Sequence, residues 1–138
     1  APAWTNCGYS PVEARRRGCK FDVLSFAWQL PACYDSKTVE DFMAEKDWEF
    51  FKFPNKTSLI SKEAALTGEY TLYVTQEYHR VQCMYMWRQM HRAFTITKYI
   101  DSHLNDWHHT LQCHSIILGE RLSIESSGAI REIKYPEC

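Results

Sequence analysis

The sequence lacks an excess of charge of either sign and any long run of apolar residues. Its 16 Lys and Arg balance 17 Asp and Glu, giving a formal net charge of -1, and the two signs alternate along the chain. No basic face is therefore expected that could neutralise phosphates, which argues against nucleic acid as a partner. No apolar run reaches the roughly 18 residues of a membrane-spanning helix, and the start has no signal-peptide character. We expect membrane contact only through an anchor outside these residues.

Glycine and proline are also scarce, with five of each among 138 residues. The length, with 45% hydrophobic and 24% charged residues, predicts a single small domain over residues 1–138 with a modest core. Prolines and glycines are scattered through the first 35 residues, and only residues 21–30 look regular. This part is predicted to be an irregular lead-in held by disulfides.

Cysteine, in contrast, is abundant for so short a chain. The six cysteines are Cys7, Cys19, Cys33, Cys83, Cys113 and Cys138. They predict up to three disulfides and an oxidising compartment, either the lumen of the secretory pathway or the outside of the cell. Six cysteines allow fifteen pairings, so the connectivity stays open. No C-x-x-C pair is present, which argues against structural zinc.

A sequon for N-glycosylation supports the same compartment. Asn55 is followed by Lys56 and Thr57, and it lies just after Pro54, where a surface turn is expected. We therefore predict glycosylation at Asn55.

Periodicity predicts an α+β fold that is mainly helical, with a short sheet. Helices are predicted over residues 38–51, 76–94 and from 105 or 106 to 118, and strands over residues 69–75 and 129–135. Glu40 and Asp41 are placed in the first turn of the first helix, where the helix dipole favours acids. Gly119 is expected to end the last helix.

Two segments share one pattern. His79 to Cys83 and His109 to Cys113 both read His-x-x-Gln-Cys. In a helix, the His, Gln and Cys of each segment lie on one face. The second helix continues this face with Ile116 and Ile117, so His109 is expected to point towards the core.

The distance between the two segments depends on how their helices are arranged. In an antiparallel hairpin they would lie at opposite ends, because residues 83–94 alone span roughly 16 Å of helix. An extended linker over residues 95–104 could instead reach back roughly 33 Å and bring His79 near His109 in a parallel arrangement. A dimer could also bring the two histidines together.

Residues 77–92, Ile100-Asp101 and His108 through Cys113 resemble the UstYa-like proteins of fungal natural-product clusters. The resemblance implies a luminal domain behind an N-terminal transmembrane anchor, with two H-x-x-H-C motifs. It also implies tailoring of ribosomal or nonribosomal peptides and other metabolites. Reactions in the family include oxidative cyclisation, hydroxylation, desaturation and halogenation, with copper implicated for some members, and acyl transfer in at least one branch.

This sequence departs from the family pattern at Gln82 and Gln112, which replace the second histidine of each motif. A Gln amide is a weak copper ligand, so we expect no metal and no cofactor. The first hypothesis is a metal-independent tailoring enzyme of the secretory pathway. His79 and His109 would be its acid and base, and Gln82 and Gln112 its amide donors, in a ring-forming, isomerising or acyl-transfer step. The residues expected to contact a small-molecule or peptide-like substrate are Tyr78, Trp87 and His108.

Two other hypotheses remain. In a copper-dependent oxidase, His79 and His109 would stay ligands, and nearby residues would complete the set. The candidates for that set are His91, His103, His108, His114, Met86 and Met90. Alternatively, the chain is an inactive partner that binds metabolite, or that pairs with itself or an active homologue. The expected apolar surface for this role is given by Trp28, Trp48, Trp87 and Trp107. In all three hypotheses we treat Cys83 and Cys113 as halves of disulfides rather than as nucleophiles.

Overall fold

A computed structural model describes residues 4–119 and 130–138 of the chain. The fold is α+β with disulfides, as predicted. Its helices are α1 (Pro11–Arg16), α2 (Ser36–Glu45), α3 (Lys62–Ala65), α4 (Gln76–Arg92), a π-helical turn (Ala93–Thr97) and α5 (Trp107–Ile117). Its strands are β1 (Lys20–Asp22), β2 (Ala27–Gln29), β3 (Phe50–Phe51), β4 (Leu59–Ile60), β5 (Leu72–Tyr73) and β6 (Ile130–Arg131).

The strands form two antiparallel sheets within the described residues. β1 and β2 make a hairpin in which Phe21 lies opposite Trp28. The other sheet has the order β4-β3-β5-β6, so the strand nearest the C-terminus pairs with β5. In that pair Arg131 lies opposite Leu72. The pairing places β6 at the edge of this sheet, next to β5.

The prediction of an irregular lead-in was wrong. Helix α1 begins at Pro11, and the Ser10 side chain caps it by accepting a hydrogen bond from the Glu13 backbone N–H. The regular stretch expected over residues 21–30 is the β1–β2 hairpin. Cys7 and Cys19 bridge the two ends of α1, so the predicted stapling is present.

The helix predicted over residues 38–51 was too long and began too late. Helix α2 begins at Ser36, because Asp35 caps it by accepting a hydrogen bond from the Thr38 backbone N–H. The acids at 40 and 41 therefore do not lie in its first turn. Phe50–Phe51 is a strand that pairs with both β4 and β5. Pairing across the sheet has overridden the helical spacing of the apolar residues.

The two long helices agree with their predictions. α4 begins at Gln76 after the cap residue Thr75, and its last turn continues into the π-helical segment. α5 follows the cap residue Asp106, whose side chain accepts a hydrogen bond from the His108 backbone N–H. Gly119 comes just after the last turn with a φ of 74°, a left-handed conformation that glycine adopts without strain.

Aromatic side chains fill the core between α2, the larger sheet and α4. Phe42 stacks on Trp48, and the two rings contact Tyr78 edge-on with centroids 5.1 Å away. The Tyr78 hydroxyl donates a hydrogen bond to the Val23 carbonyl. Tyr78 has no exposed surface, so its predicted contact with substrate was wrong.

All six cysteines are paired, in the disulfides Cys7–Cys19, Cys33–Cys138 and Cys83–Cys113. The three bonds agree with an oxidising compartment. The second ties the end of the chain to the loop before α2, and the third joins α4 to α5.

No helix in residues 4–119 and 130–138 combines the length and the apolar character needed to cross a membrane.

Asn55 lies in the turn between β3 and β4 and is exposed. Its side-chain oxygen accepts hydrogen bonds from the backbone N–H and the hydroxyl of Thr57. The turn agrees with the sequence, while glycosylation of Asn55 stays a prediction.

Candidate active site

The Cys83–Cys113 disulfide determines how the two matched segments meet. It joins the middle of α4 to α5 with the two Cα atoms 5.2 Å apart. One helical turn before these cysteines, His79 and His109 line the same cleft. The two segments therefore form one site within a single chain. The antiparallel hairpin does not describe them, and no dimer is needed to bring the two histidines together.

The cleft has a volume of about 720 Å³ and is open to solvent. It lies between α4, α5, the linker that joins them and the C-terminal segment. Its lining residues are His79, Gln82, His103, His108, His109, Leu111, Gln112, Ser115, Ile116, Ile130, Arg131, Glu132 and Lys134.

A third histidine, His103, contacts the histidine of the second segment. Its ring centroid lies 4.2 Å from that of His109, with a tilt of 48° between the rings. The turn that holds His103 depends on Asp101, whose buried carboxylate accepts hydrogen bonds from the backbone N–H groups of His103 and Leu104. The other oxygen of this carboxylate accepts a hydrogen bond from the Gln29 amide. Asp101 is thus a positioning residue for the cleft.

Two cationic side chains reach the cleft from the C-terminal segment. Arg131 lies on β6, where pairing with β5 turns it inward, and it is 6% exposed. Lys134 is held beside β2 by backbone hydrogen bonds with Phe26 and Trp28. Its ammonium donates to the carbonyls of Ser25 and Glu132 at 3.1 and 3.2 Å.

Burial and positive charge keep the three clustered imidazoles neutral at pH 7. Burial, with Arg131 next, lowers the pKa of His79 to about 3. Burial and the neighbouring His109 lower the pKa of His103 to about 3. Burial and Lys134 lower the pKa of His109 to about 4. The three side chains are therefore unprotonated at neutral pH, and each leaves one ring nitrogen able to accept a hydrogen bond or a proton.

The two cations respond to the same surroundings. Burial, followed by repulsion from Arg131, lowers the pKa of Lys134 to about 8. Burial lowers the pKa of Arg131 to about 10, which still leaves the guanidinium charged at pH 7. Lys134 is accordingly an acid whose pKa lies close to neutrality, beside imidazoles that are bases.

The two glutamines of the matched segments have different surroundings. Gln82 is buried, its amide N–H donates to the Leu24 carbonyl, and its amide oxygen accepts from the Arg131 guanidinium. Gln112 is exposed, and its amide nitrogen lies 3.4 Å from the Nε2 atom of His108. The amide of Gln82 is thus used within the fold, and that of Gln112 lies at the rim of the cleft.

The other predicted contacts divide between two surfaces. His108 is exposed at the rim of the histidine cleft. Trp87 is 73% exposed and lies outside that cleft, beside a separate apolar groove of about 400 Å³ lined by Cys83 and Met90 among others. Helix α5 presents Cys113 to the core but leaves Ile117 exposed, so its expected apolar face is only partly buried.

The cleft does not present an assembled set of ligands for copper, the metal that the family resemblance implies. In the described parts of the chain, no group of three His, Cys, Asp or Glu side chains is placed to hold a metal ion. The cysteines of both segments are in a disulfide, and the Gln82 amide is already hydrogen-bonded. Lys134 and Arg131 would also repel a metal cation.

Sequence reasoning missed the two cations and gave His103 only the role of a possible ligand. The Asp101 that positions His103 was visible as a residue suited to a turn. Nothing local marks Arg131 and Lys134, because they reach the cleft through strand pairing and the disulfide at Cys138.

Comparisons with known proteins give two curated relatives. Phomopsin biosynthesis cluster proteins B and B', both of Diaporthe leptostromiformis, are each 27% identical over 138 residues. The match covers 92% of this chain but 40% of each relative, so the chain spans well under half of their length. No family model matches the chain. No solved structure matches it either.

Proposed function

We propose that this chain is the catalytic domain of a tailoring enzyme of fungal secondary metabolism that moves a proton on a peptide-like metabolite without a metal. The names of the two relatives support the setting, since both refer to a biosynthesis cluster. The observation that carries the chemistry is the cleft in which three neutral imidazoles face the Lys134 ammonium.

The residues divide the work of a proton transfer. His109 or His79 accepts a proton from a C–H or N–H group next to a substrate carbonyl, and the electron pair moves onto the carbonyl oxygen. The Lys134 ammonium stabilises this oxygen and can give it a proton. If the imidazolium returns its proton at another atom, the product is an isomer. If the deprotonated nitrogen instead adds to a second carbonyl of the substrate, a ring closes: a C–N bond forms, the C=O π bond breaks, and the new alkoxide takes the proton back from the imidazolium. The resulting hydroxyl can then leave as water with a hydrogen from a neighbouring atom.

This division changes one expectation from the sequence. A histidine was expected to be the acid, but burial lowers the pKa of His79 and His109 too far for either to hold a proton at pH 7. Lys134, with its pKa of about 8, takes that role. Gln82 acts by fixing Arg131 rather than by contacting substrate.

The test is conversion of metabolite by the purified protein. Culture extract from a fungus that carries the gene, after deletion of the gene, is incubated with protein and a chelator and followed by mass spectrometry. We expect a new product whose mass equals that of its precursor or differs by water. His109→Gln should lower the rate about a hundredfold, because general base catalysis contributes about that much or more. His114→Gln, an exposed histidine of the same helix, is the matched control.

The mass of the product separates this proposal from the oxidase. Loss of two hydrogens or gain of oxygen, together with loss of activity in chelator, would contradict it and favour copper. No conversion by the protein alone, with conversion restored by an active homologue, would favour the inactive partner.

A further inference from the structure

We infer that the cleft binds a carboxylate group of its ligand at Lys134, so that the substrate is a peptide-like acid with an aliphatic side chain beside the carboxylate. The inference rests on the proposed function only in calling the bound ligand a substrate. The binding itself follows from the charge and shape of the cleft.

Among the described residues that line the cleft, positive charge exceeds negative charge. Two cations, Lys134 and Arg131, line it, whereas Glu132 is the one carboxylate among the described lining residues. The clustered histidines are neutral at pH 7, so they add no negative charge that would repel an anion. An anionic group entering the cleft therefore meets a favourable field that water screens only partly.

Lys134 is placed to contact the anion directly. Its ammonium has three N–H groups, and the carbonyls of Ser25 and Glu132 accept two hydrogen bonds from it. The remaining donor can serve a ligand, and in a peptide-like acid it can be shared between a carboxylate oxygen and the neighbouring carbonyl oxygen that the proposed reaction uses. These two carbonyls also hold the ammonium in place, so little side-chain entropy is lost when the ligand binds.

Arg131 acts at longer range. Its guanidinium is bonded to the amide oxygen of Gln82 and to the Ile130 carbonyl, and it is almost fully buried. A buried cation held in this way supplies a fixed positive charge behind the lysine. It strengthens the attraction without having to move when the ligand enters.

The walls of the cleft favour an organic acid over an inorganic anion. Leu111, Ile116 and Ile130 give the cleft aliphatic surface, and Ser115 and Gln112 add neutral polar groups. A volume of about 720 Å³ is far larger than a phosphate ion needs. An amino-acid-derived ligand would place its carboxylate at the lysine and its side chain against the aliphatic wall.

The experiment compares N-acetyl-L-leucine with N-acetyl-L-leucinamide, which differ in the carboxylate alone. Binding to the intact protein at pH 7 is measured by NMR titration, with inorganic phosphate as a third ligand. We expect the acid to bind about tenfold more tightly than the amide, the size of one charge-assisted contact. Phosphate should bind no better than the amide. Bound acid should also raise the pKa of the His109 imidazole.

Variants assign the preference to the lysine. Lys134→Gln should remove the preference for the acid, and Lys134→Arg, which keeps the charge if glutamine disturbs folding, should retain it. Lys52→Gln, at an exposed lysine of the β3–β4 loop, is the control and should behave as the wild type. Equal binding of acid and amide, an unchanged preference in Lys134→Gln, or phosphate that binds as tightly as the acid would overturn the inference.

The outcome can be told apart from that of the proposed function. Preference for the acid without turnover of any metabolite would leave the carboxylate site in place and remove the proton-transfer enzyme. Turnover of neutral metabolites without preference for the acid would do the reverse.

Discussion

The segments His79–Cys83 and His109–Cys113 have the same pattern of residues, yet the fold uses them differently. Their cysteines bond to each other, and their histidines line one cleft. Their glutamines separate, because Gln82 is buried and hydrogen-bonded on both sides of its amide, whereas Gln112 is exposed. A shared spacing therefore predicts which side chains point the same way, but not what they meet there.

The difference follows from where the two helices lie. α4 packs against α2 on one side and α5 on the other, so its residues meet protein over much of their surface. Gln82 points at the Leu24 carbonyl, which follows the β1 strand. α5 covers α4 from outside, and Cys113 is its buried residue. On the central helix α4, the glutamine of the motif is buried and hydrogen-bonded within the fold. On the outer helix α5, the corresponding glutamine remains exposed to solvent.

Removing the disulfide that joins the two segments should have the largest effect on stability and on activity. Cys83→Ala plus Cys113→Ala opens a loop with a sequence separation of 30 residues, which costs about 3.5 kcal/mol of unfolding free energy by loop entropy. The same change frees α5 to move, so His109 should lose its place beside His79 and the activity should fall with stability. Urea denaturation and the conversion assay measure the two effects.

The disulfide around α1 provides the control. Cys7→Ala plus Cys19→Ala opens a loop with a separation of 12 residues, so about 3 kcal/mol is expected, without loss of the cleft. Activity at a temperature where both variants stay folded should differ between them. Equal residual activity in the two double variants would show that the Cys83–Cys113 bond does not hold the site together.

Replacing the two glutamines one at a time tests the contrast between them directly. Gln82→Ala removes hydrogen bonds to the Leu24 carbonyl and to Arg131 inside the core, so about 2 to 3 kcal/mol of stability should be lost. Gln112→Ala, its matched control at the surface, should change stability by less than about 0.5 kcal/mol. Chemical denaturation of the two variants in parallel measures the difference, and similar losses would contradict the structure.

The sequence predicts the parts of the fold that local physics determines. The caps at Thr75 and Asp106 and the stop at Gly119 fix α4 and α5 closely. Prediction from the sequence fails where pairing across the sheet determines the secondary structure, as at Phe50–Phe51. It also fails where an apolar residue has two plausible destinations, since Tyr78 follows a helical pattern that cannot say whether it faces substrate or core.

The site shows the same division. His79 and His109 stand out because a local pattern repeats, and the structure places both at one cleft. Arg131 and Lys134 come from a segment that lies far away in sequence and reaches the cleft through β6 pairing and the Cys33–Cys138 bond. Only the three-dimensional fold brings their charge to the histidines, where it adds to burial in lowering the pKa of His79 and His109.

The smallest expected effect is a shared dependence on pH of the two motif histidines. The pKa of His79 is lowered to about 3 and that of His109 to about 4 in the fold, from 6.5 in the unfolded chain. Between pH 6.5 and pH 4 the unfolded chain therefore binds protons that the folded chain does not, so stability falls as the pH falls through this window. At pH 5.5 each histidine should cost about 1 kcal/mol relative to pH 7.5, allowing for partial exposure. His79→Gln and His109→Gln should each flatten the curve of unfolding free energy against pH by that amount, whereas exposed His114→Gln should not. Flattening by only one of the two motif variants would show that their histidines do not share one desolvated cleft.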